Sequence, residues 1–145
     1  MPETRAPERK GTVMSEPFVY IGDYRIKPGL FEVAVQRLRD IAALVEDEEP
    51  QLLSFHYYVD PDRGRAICVQ VHPDGESMAT HMSVIARHIT TAWDWLDLDG
   101  SVQLLLGTPP KVLTDYLREF NQDPNNYPTF VAGFARTAEK VSGSG

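Results

Sequence analysis

The chain has 145 residues, 42% of them apolar and 24% charged, which suits one soluble domain with a real core. Lys plus Arg number 14 and Asp plus Glu 21, for a net charge of −7; that balance argues against nucleic acid and anionic membranes as partners, since both need a basic face. No apolar run is long enough for a transmembrane helix, and the lone cysteine, Cys68, excludes an internal disulfide and a cysteine-based zinc cluster, so a reducing cytoplasm is the expected compartment.

Residues 1–17 are rich in Pro, Glu, Arg and Lys and have no hydrophobic period or apolar signal core. They read as a disordered leader. Phe18–Ile26 is strand-like, dominated by aromatic and β-branched residues, with Phe18, Tyr20, Gly22, Tyr24 and Ile26 on one face. Pro28 then suits the first turn of a helix. From Leu30 to Val45 the apolar residues Phe31, Ala34, Val35, Leu38, Ile41, Ala42 and Val45 recur at helical spacing. The helix is expected to end near Val45, because the acids at Glu46, Asp47, Glu48 and Glu49 oppose the negative end of the helix dipole.

Leu52–Val59 and Arg65–His72 read as two strands of a hairpin, joined by the turn Asp60-Pro61-Asp62-Arg63-Gly64. Asp74 is placed to cap a second helical region striped by Met78, Met82, Ile85, Ala86 and Ile89. The apolar pattern extends through Trp93 and Leu96 toward Asp99-Gly100, as one helix or two short ones. Ser101–Leu106 is a fourth strand. Thr108-Pro109-Pro110 opens a third helix with Val112, Leu113, Tyr116, Leu117 and Phe120 on one side. Asn121–Pro128 reads as loop, Thr129–Ala135 as a short last strand, and residues 137–145 as a flexible tail. The folded domain is expected over residues 18–136.

The order is βαββαβ with a C-terminal helix and short strand appended, an α+β ferredoxin-like arrangement. Helices cover one sheet face. Bulky residues also occupy the other: Val19 and Ile21 oppose Phe18 and Tyr20. Left bare, that face exceeds the apolar patch most monomers tolerate, so face-to-face homodimerisation is expected. The alternative is that the third helix and last segment cover it within one subunit.

Three pieces carry a resemblance: Tyr24-Arg25-Ile26-Lys27-Pro28-Gly29 after the first strand, Glu49-Pro50-Gln51-Leu52-Leu53-Ser54-Phe55 into the second, and His81-Met82-Ser83-Val84 in the second helix. In their order and spacing the chain resembles the antibiotic biosynthesis monooxygenase-like family of dimeric α+β barrels, with Gln51 where the family usually has Gly. The resemblance implies a homodimer whose sheets form a barrel, with a pocket in each subunit between sheet and helices. It also implies cofactor-independent oxidation of phenolic polycycles or quinols as one activity to consider. The haem-degrading branch uses Asn, Trp and His where this chain has Tyr24, His81 and Thr91, which disfavours haem.

His81 is the expected base, since an imidazole titrates near neutral pH; the competing reading is a hydrogen-bonded helix histidine. His88 lies two turns on and is a candidate substrate contact at the pocket edge, or a helix-shoulder histidine; at about 10 Å along the axis it is too far to share one metal with His81, so no metal site is expected. Tyr20 and Tyr24 share a strand face and are candidates to orient an aromatic ligand, or to pack as ordinary strand residues. His56 and Tyr58 are candidates for the pocket or the dimer seam. Trp93 is a candidate substrate contact, while Arg25 reads as a surface residue and Cys68 as a small buried one. No G-x-G-x-x-G or G-x-S-x-G motif is present, and no cofactor is expected. The expected function is that of a cofactor-independent monooxygenase-like protein binding a small aromatic, phenolic or quinone-like molecule. The alternative is a non-catalytic ligand-binding or dimeric interaction module of the same fold.

Overall fold

The computed structural model describes residues 16–136. The elements are β1 (Phe18–Ile26), α1 (Phe31–Glu48), β2 (Ser54–Asp60), β3 (Arg65–His72), α2 (Gly75–Ala92), β4 (Leu96–Leu106), α3 (Lys111–Glu119) and β5 (Asn125–Tyr127). They build one five-stranded sheet in the order β2-β3-β1-β4-β5. The first four strands pair antiparallel and β5 joins β4 in parallel. This is the βαββαβ order read from the sequence, with a helix and a strand added. The expectations for the leader and the tail fall outside the described residues, apart from Glu16 and Pro17.

Strand alternation sorts the side chains. Phe18, Tyr20 and Ile26 of β1 and Ala66, Cys68, Gln70 and His72 of β3 are buried on the helix side. The outer face is set by register: Val19 opposes Val71 and Ile21 opposes Val69 on β3, while Leu106 and Leu104 oppose them on β4. Helix α1 buries Ala34, Leu38 and Val45 and turns Glu32, Arg37, Arg39 and Asp40 to solvent. Helix α2 is capped by Asp74, whose Oδ1 accepts from Ser77 N at 2.9 Å.

Helix α3 packs on the helix side as well. Its Leu113 and Leu117 are buried with Phe18, Tyr20, Met78 and Met82. It therefore does not cover the outer face, which removes that part of the alternative to dimerisation.

Other boundaries differ from expectation. Helix α1 runs on to Glu48, because Glu46, Asp47 and Glu48 are exposed and a solvated acid at a helix end costs only about 0.3–1 kcal/mol. Helix α2 is continuous to Ala92, and β4 starts at Leu96. The Asp99-Gly100 break lies inside β4: Gly100 takes φ 86°, and the register with β1 shifts between Asp23 and Arg25. Such a bulge lets a strand continue past an extra residue. Val112 is exposed rather than on the buried stripe of α3. The last strand is Asn125–Tyr127, not Thr129–Ala135, which has no regular structure.

Candidate functional site

A cavity of about 90 Å³ lies between the sheet and the helices. Tyr20, Tyr24 and Tyr57 line it from the sheet, His81 and His88 from α2, and Tyr116 from α3, with Trp93 at the turn after α2. Five of the sequence candidates are thus brought together: Tyr20, Tyr24, His81, His88 and Trp93. The two others stand apart. His56 pairs with Val69 and Tyr58 with Ile67, which puts both on the outer face of the sheet, where Tyr58 is 62% exposed. The pocket reading of His56 and Tyr58 is corrected accordingly: strand alternation aims them away from the helices. Arg25 also lies outside the cavity, exposed and paired with Asp97 at 3.2 Å.

His81 is fixed by a carboxylate. Its Nδ1 lies 3.0 Å from Glu49 Oε1 and 2.8 Å from Glu49 Oε2, and both side chains are buried. Glu49 sits just past the end of α1, where its backbone N–H donates to Val45 O at 2.9 Å. Gln51 Nε2 donates to the same carboxylate at 3.4 Å. A carboxylate on Nδ1 holds the imidazole in one orientation with Nδ1–H as donor, which leaves Nε2 as the basic nitrogen. The Phe55 ring packs against the imidazole, centroids 5.5 Å apart.

A second buried histidine stands beside the first and is neutral. His72 Nε2 bonds Gln70 Oε1 at 2.9 Å and His72 Nδ1 bonds Ser77 Oγ at 2.7 Å. An amide oxygen only accepts, so Nε2 carries the hydrogen and Ser77 donates to Nδ1. Burial, with a smaller contribution from His81, lowers His72 to about 3. Cys68 is also inert: burial pushes its thiol up to about 12, far from the thiolate a nucleophile needs.

The hydroxyls of Tyr20 and Tyr24 bond each other. Burial raises both phenols well above their usual value, so both stay protonated. One donates to the other, and the acceptor of that bond keeps its own O–H to offer elsewhere. Gly22 between them makes this pairing possible. A Cβ there would lie 2.5 Å from the Tyr24 hydroxyl and 2.6 Å from its ring, because the Tyr24 ring leans back along the strand over residue 22.

Sequence reasoning missed Glu49 and Tyr116. Glu49 reads in the sequence only as the last of four acids that oppose the helix dipole, and nothing in the spacing of residues 49 and 81 announces their contact. Tyr116 sits in the same helical stripe as Leu113 and Leu117 and reads as packing. Among the described residues no three His, Cys, Asp or Glu side chains gather as metal ligands, and no helix is long and apolar enough to cross a membrane.

No family model and no curated protein matches the chain. Solved structures do. MupZ from Pseudomonas fluorescens superposes with a TM-score of 0.66 at 14% identity, over 93% of this chain and 96% of its own. That share requires residues beyond β4 to match too. A structure described as an antibiotic biosynthesis monooxygenase gives 0.54 at 19% identity, over 64% of this chain and 99% of its own. SnoaB, a cofactor-independent oxygenase from Streptomyces nogalater, gives 0.54 at 11% identity, over 68% of this chain and 98% of its own. At such identities the likeness is one of fold. With its five-stranded sheet, three helices and βαββαβ core, the chain has the ferredoxin-like α+β fold of the antibiotic biosynthesis monooxygenase structures.

Proposed function

We propose that the cavity binds a small phenolic or quinol-like molecule and that His81 removes its phenolic proton for oxidation by dioxygen without a cofactor. The observation that carries this reading is the buried Glu49–His81 pair at the cavity wall. Glu49 supports the positive charge that His81 acquires when Nε2 takes the proton. The phenolate then passes one electron to dioxygen, and the radical pair combines to a peroxide at a ring carbon. His81 returns its proton to the terminal peroxide oxygen, and cleavage of the O–O bond with loss of that carbon's hydrogen releases water and leaves a quinone, so one dioxygen is consumed per quinone formed and the base is regenerated. The paired hydroxyls of Tyr20 and Tyr24 orient the ring, and the apolar walls exclude water.

The cavity is smaller than the about 150 Å³ void known to take benzene. Ligand entry therefore needs side chains to move, and the thioethers of Met78 and Met82 are suited to that. The same small volume favours the second reading, a binding module without turnover. Oxygen-electrode assays with phenols, naphthols and anthrones separate the two. The oxygenase reading expects uptake above the buffer rate, with one dioxygen per quinone, and its loss in His81→Ala. Absence of uptake across the panel supports the binding module.

The subunit is further proposed to work as a homodimer joined through the outer face of the sheet. Support comes from the apolar patch of Val19, Ile21, Val69, Val71 and Leu104, bordered by the Asp23–Arg65 ion pair at 2.9 Å. An apolar centre with a polar rim is the usual anatomy of an interface.

A further inference from the structure

We infer that the C-terminal arm, residues 128–136, crosses to a second copy of this chain and lies along the free edge of its β2, each copy covering the other. This rests on the homodimer proposed above and names a second contact that joins it. Two features of one subunit lack a partner. The first is the arm. It leaves the edge strand β5 after Tyr127 and runs on without regular structure, every residue exposed. Phe130, Val131 and Phe134 are 44%, 87% and 74% exposed, a run of apolar side chains that a lone subunit gains nothing by holding in water. The likeness to MupZ covers 93% of this chain, about 135 residues, so it continues at least about eight residues past Tyr127. The course of the arm is therefore part of the shared fold.

The second feature is the edge of β2. Among the described residues this strand pairs with β3 alone, so the main-chain groups along its other side are open to a further strand. Edge strands are usually blunted by Lys, Pro or a bulge. Ser54–Asp60 has no Lys and no Pro, and its register with β3 runs through seven pairs without a shift. Val59 on it is 40% exposed. Residues 129–135 match the strand in length. Neither they nor residues 54–59 include Asp, Glu, Lys or Arg, so two chains of charge −7 meet there without like-charge contact. Geometry brings the two together. When sheets stack face to face about a two-fold axis along the strands, the β5 edge of each lies over the β2 edge of the other. Nine extended residues reach about 30 Å, against about 10 Å between stacked sheets. Each copy carries both halves of the contact, so one two-fold axis satisfies both. Strand addition to an open edge draws affinity from the main chain, and Phe130 and Phe134 add side-chain burial.

The test uses the full chain and the double variant Phe130→Ser, Phe134→Ser, whose altered side chains are exposed in the subunit and whose far-ultraviolet circular dichroism should match the wild type. Sedimentation velocity is expected to show a wild-type dimer and a variant that associates about 100-fold or more weakly. Hydrogen exchange read by mass spectrometry gives the location. Amides of residues 54–60 and 129–135 should slow together as wild-type concentration rises through the dimerisation range, and both segments should exchange fast in the variant. A wild type that stays a single subunit overturns this inference together with the homodimer. A variant that associates as tightly as the wild type, or a β2 edge that still exchanges fast in the dimer, overturns the arm alone and leaves the sheet-face contact standing. Slow exchange of both segments at every concentration would put the arm on its own subunit and overturn the inference as well. Dissociation of the arm variant beside undiminished association of Val69→Asp would sink the sheet-face contact and keep the arm.

Discussion

Glu49 Oε2 meets His81 Nδ1 at 2.8 Å with both side chains buried, so a residue just past the end of α1 is tied to one in the middle of α2 that lines the cavity. Removing one partner of such a pair leaves the other buried and unmatched. Glu49→Ala should lower stability by about 1–3 kcal/mol. Glu49→Gln, whose amide oxygen still accepts from Nδ1–H, should cost less. If the protein is an oxygenase, Glu49→Gln should slow turnover more than it weakens ligand binding, because it withdraws charge support from the protonated ring. Urea unfolding and a kcat-against-KM comparison read the two effects. Equal stability of the Ala and Gln variants would contradict the role given to this hydrogen bond.

His72 predicts a pH dependence of stability. Burial lowers its value from 6.5 to about 3 in the fold. The unfolded chain therefore takes up a proton as pH falls through about 6.5, while the folded chain stays neutral at this site. Stability from this residue is complete above pH 6.5 and is lost on acidification, at a limiting slope of about 1.4 kcal/mol per pH unit. His72→Gln removes the titrating group and leaves a side chain able to bond Ser77 and Gln70. Between pH 6.5 and 5, urea midpoints of the wild type should fall more steeply than those of the variant. Parallel curves would show that His72 accepts a proton in the folded state over this range.

What the sequence revealed follows from which forces are local. Period-two alternation sorted Phe18–Ile26 into two faces, and the stripe from Phe31 to Val45 located α1; in Arg65–His72 the uniformly apolar face of Ile67, Val69 and Val71 turned out to be the outer one, while the helices bury Ala66, Cys68, Gln70 and His72. The Asp74 cap was readable because a capping side chain acts within three residues. Glu49 was not, since its partner lies 32 positions away and its neighbours in sequence are solvated acids. Strand β5 was missed for a similar reason. Asn125-Asn126-Tyr127 has turn-like composition, but Asn126 Nδ2 donates to Leu105 O at 3.0 Å and to Gly107 O at 3.2 Å, and those contacts exist only once β4 is in place. Tyr20 and Tyr24 were seen to share a face. That their hydroxyls meet depends on the ring of Tyr24 folding over Gly22, a side-chain direction that alternation does not specify.

Gly22→Ala should break that meeting. The added methyl would occupy the place of the Tyr24 ring, and the ring has to swing away from Tyr20. Overpacking of this kind costs about 1–3 kcal/mol. Thermal unfolding should show the loss, and the tyrosine region of the near-ultraviolet circular dichroism should change with it. An unaltered spectrum and melting curve would mean that the Tyr24 ring does not lie over residue 22 in solution.

The outer face of the sheet offers the last prediction. Val69 lies on β3 with Ile21 opposite on one side and His56 on the other, near the middle of the apolar patch and remote from the cavity. A carboxylate there points to solvent in a lone subunit and costs that subunit little. In a face-to-face dimer the same group would be desolvated with only the His56 imidazole beside it, a penalty of about 2 kcal/mol or more. Val69→Asp should therefore weaken self-association by about 30-fold or more while leaving the far-ultraviolet circular dichroism unchanged. Sedimentation velocity across micromolar concentrations reads the result. A wild type that sediments as a single subunit, or a variant that associates as strongly as the wild type, would place the dimer contact elsewhere or remove it, leaving the exposed valines and leucines of this face to another partner.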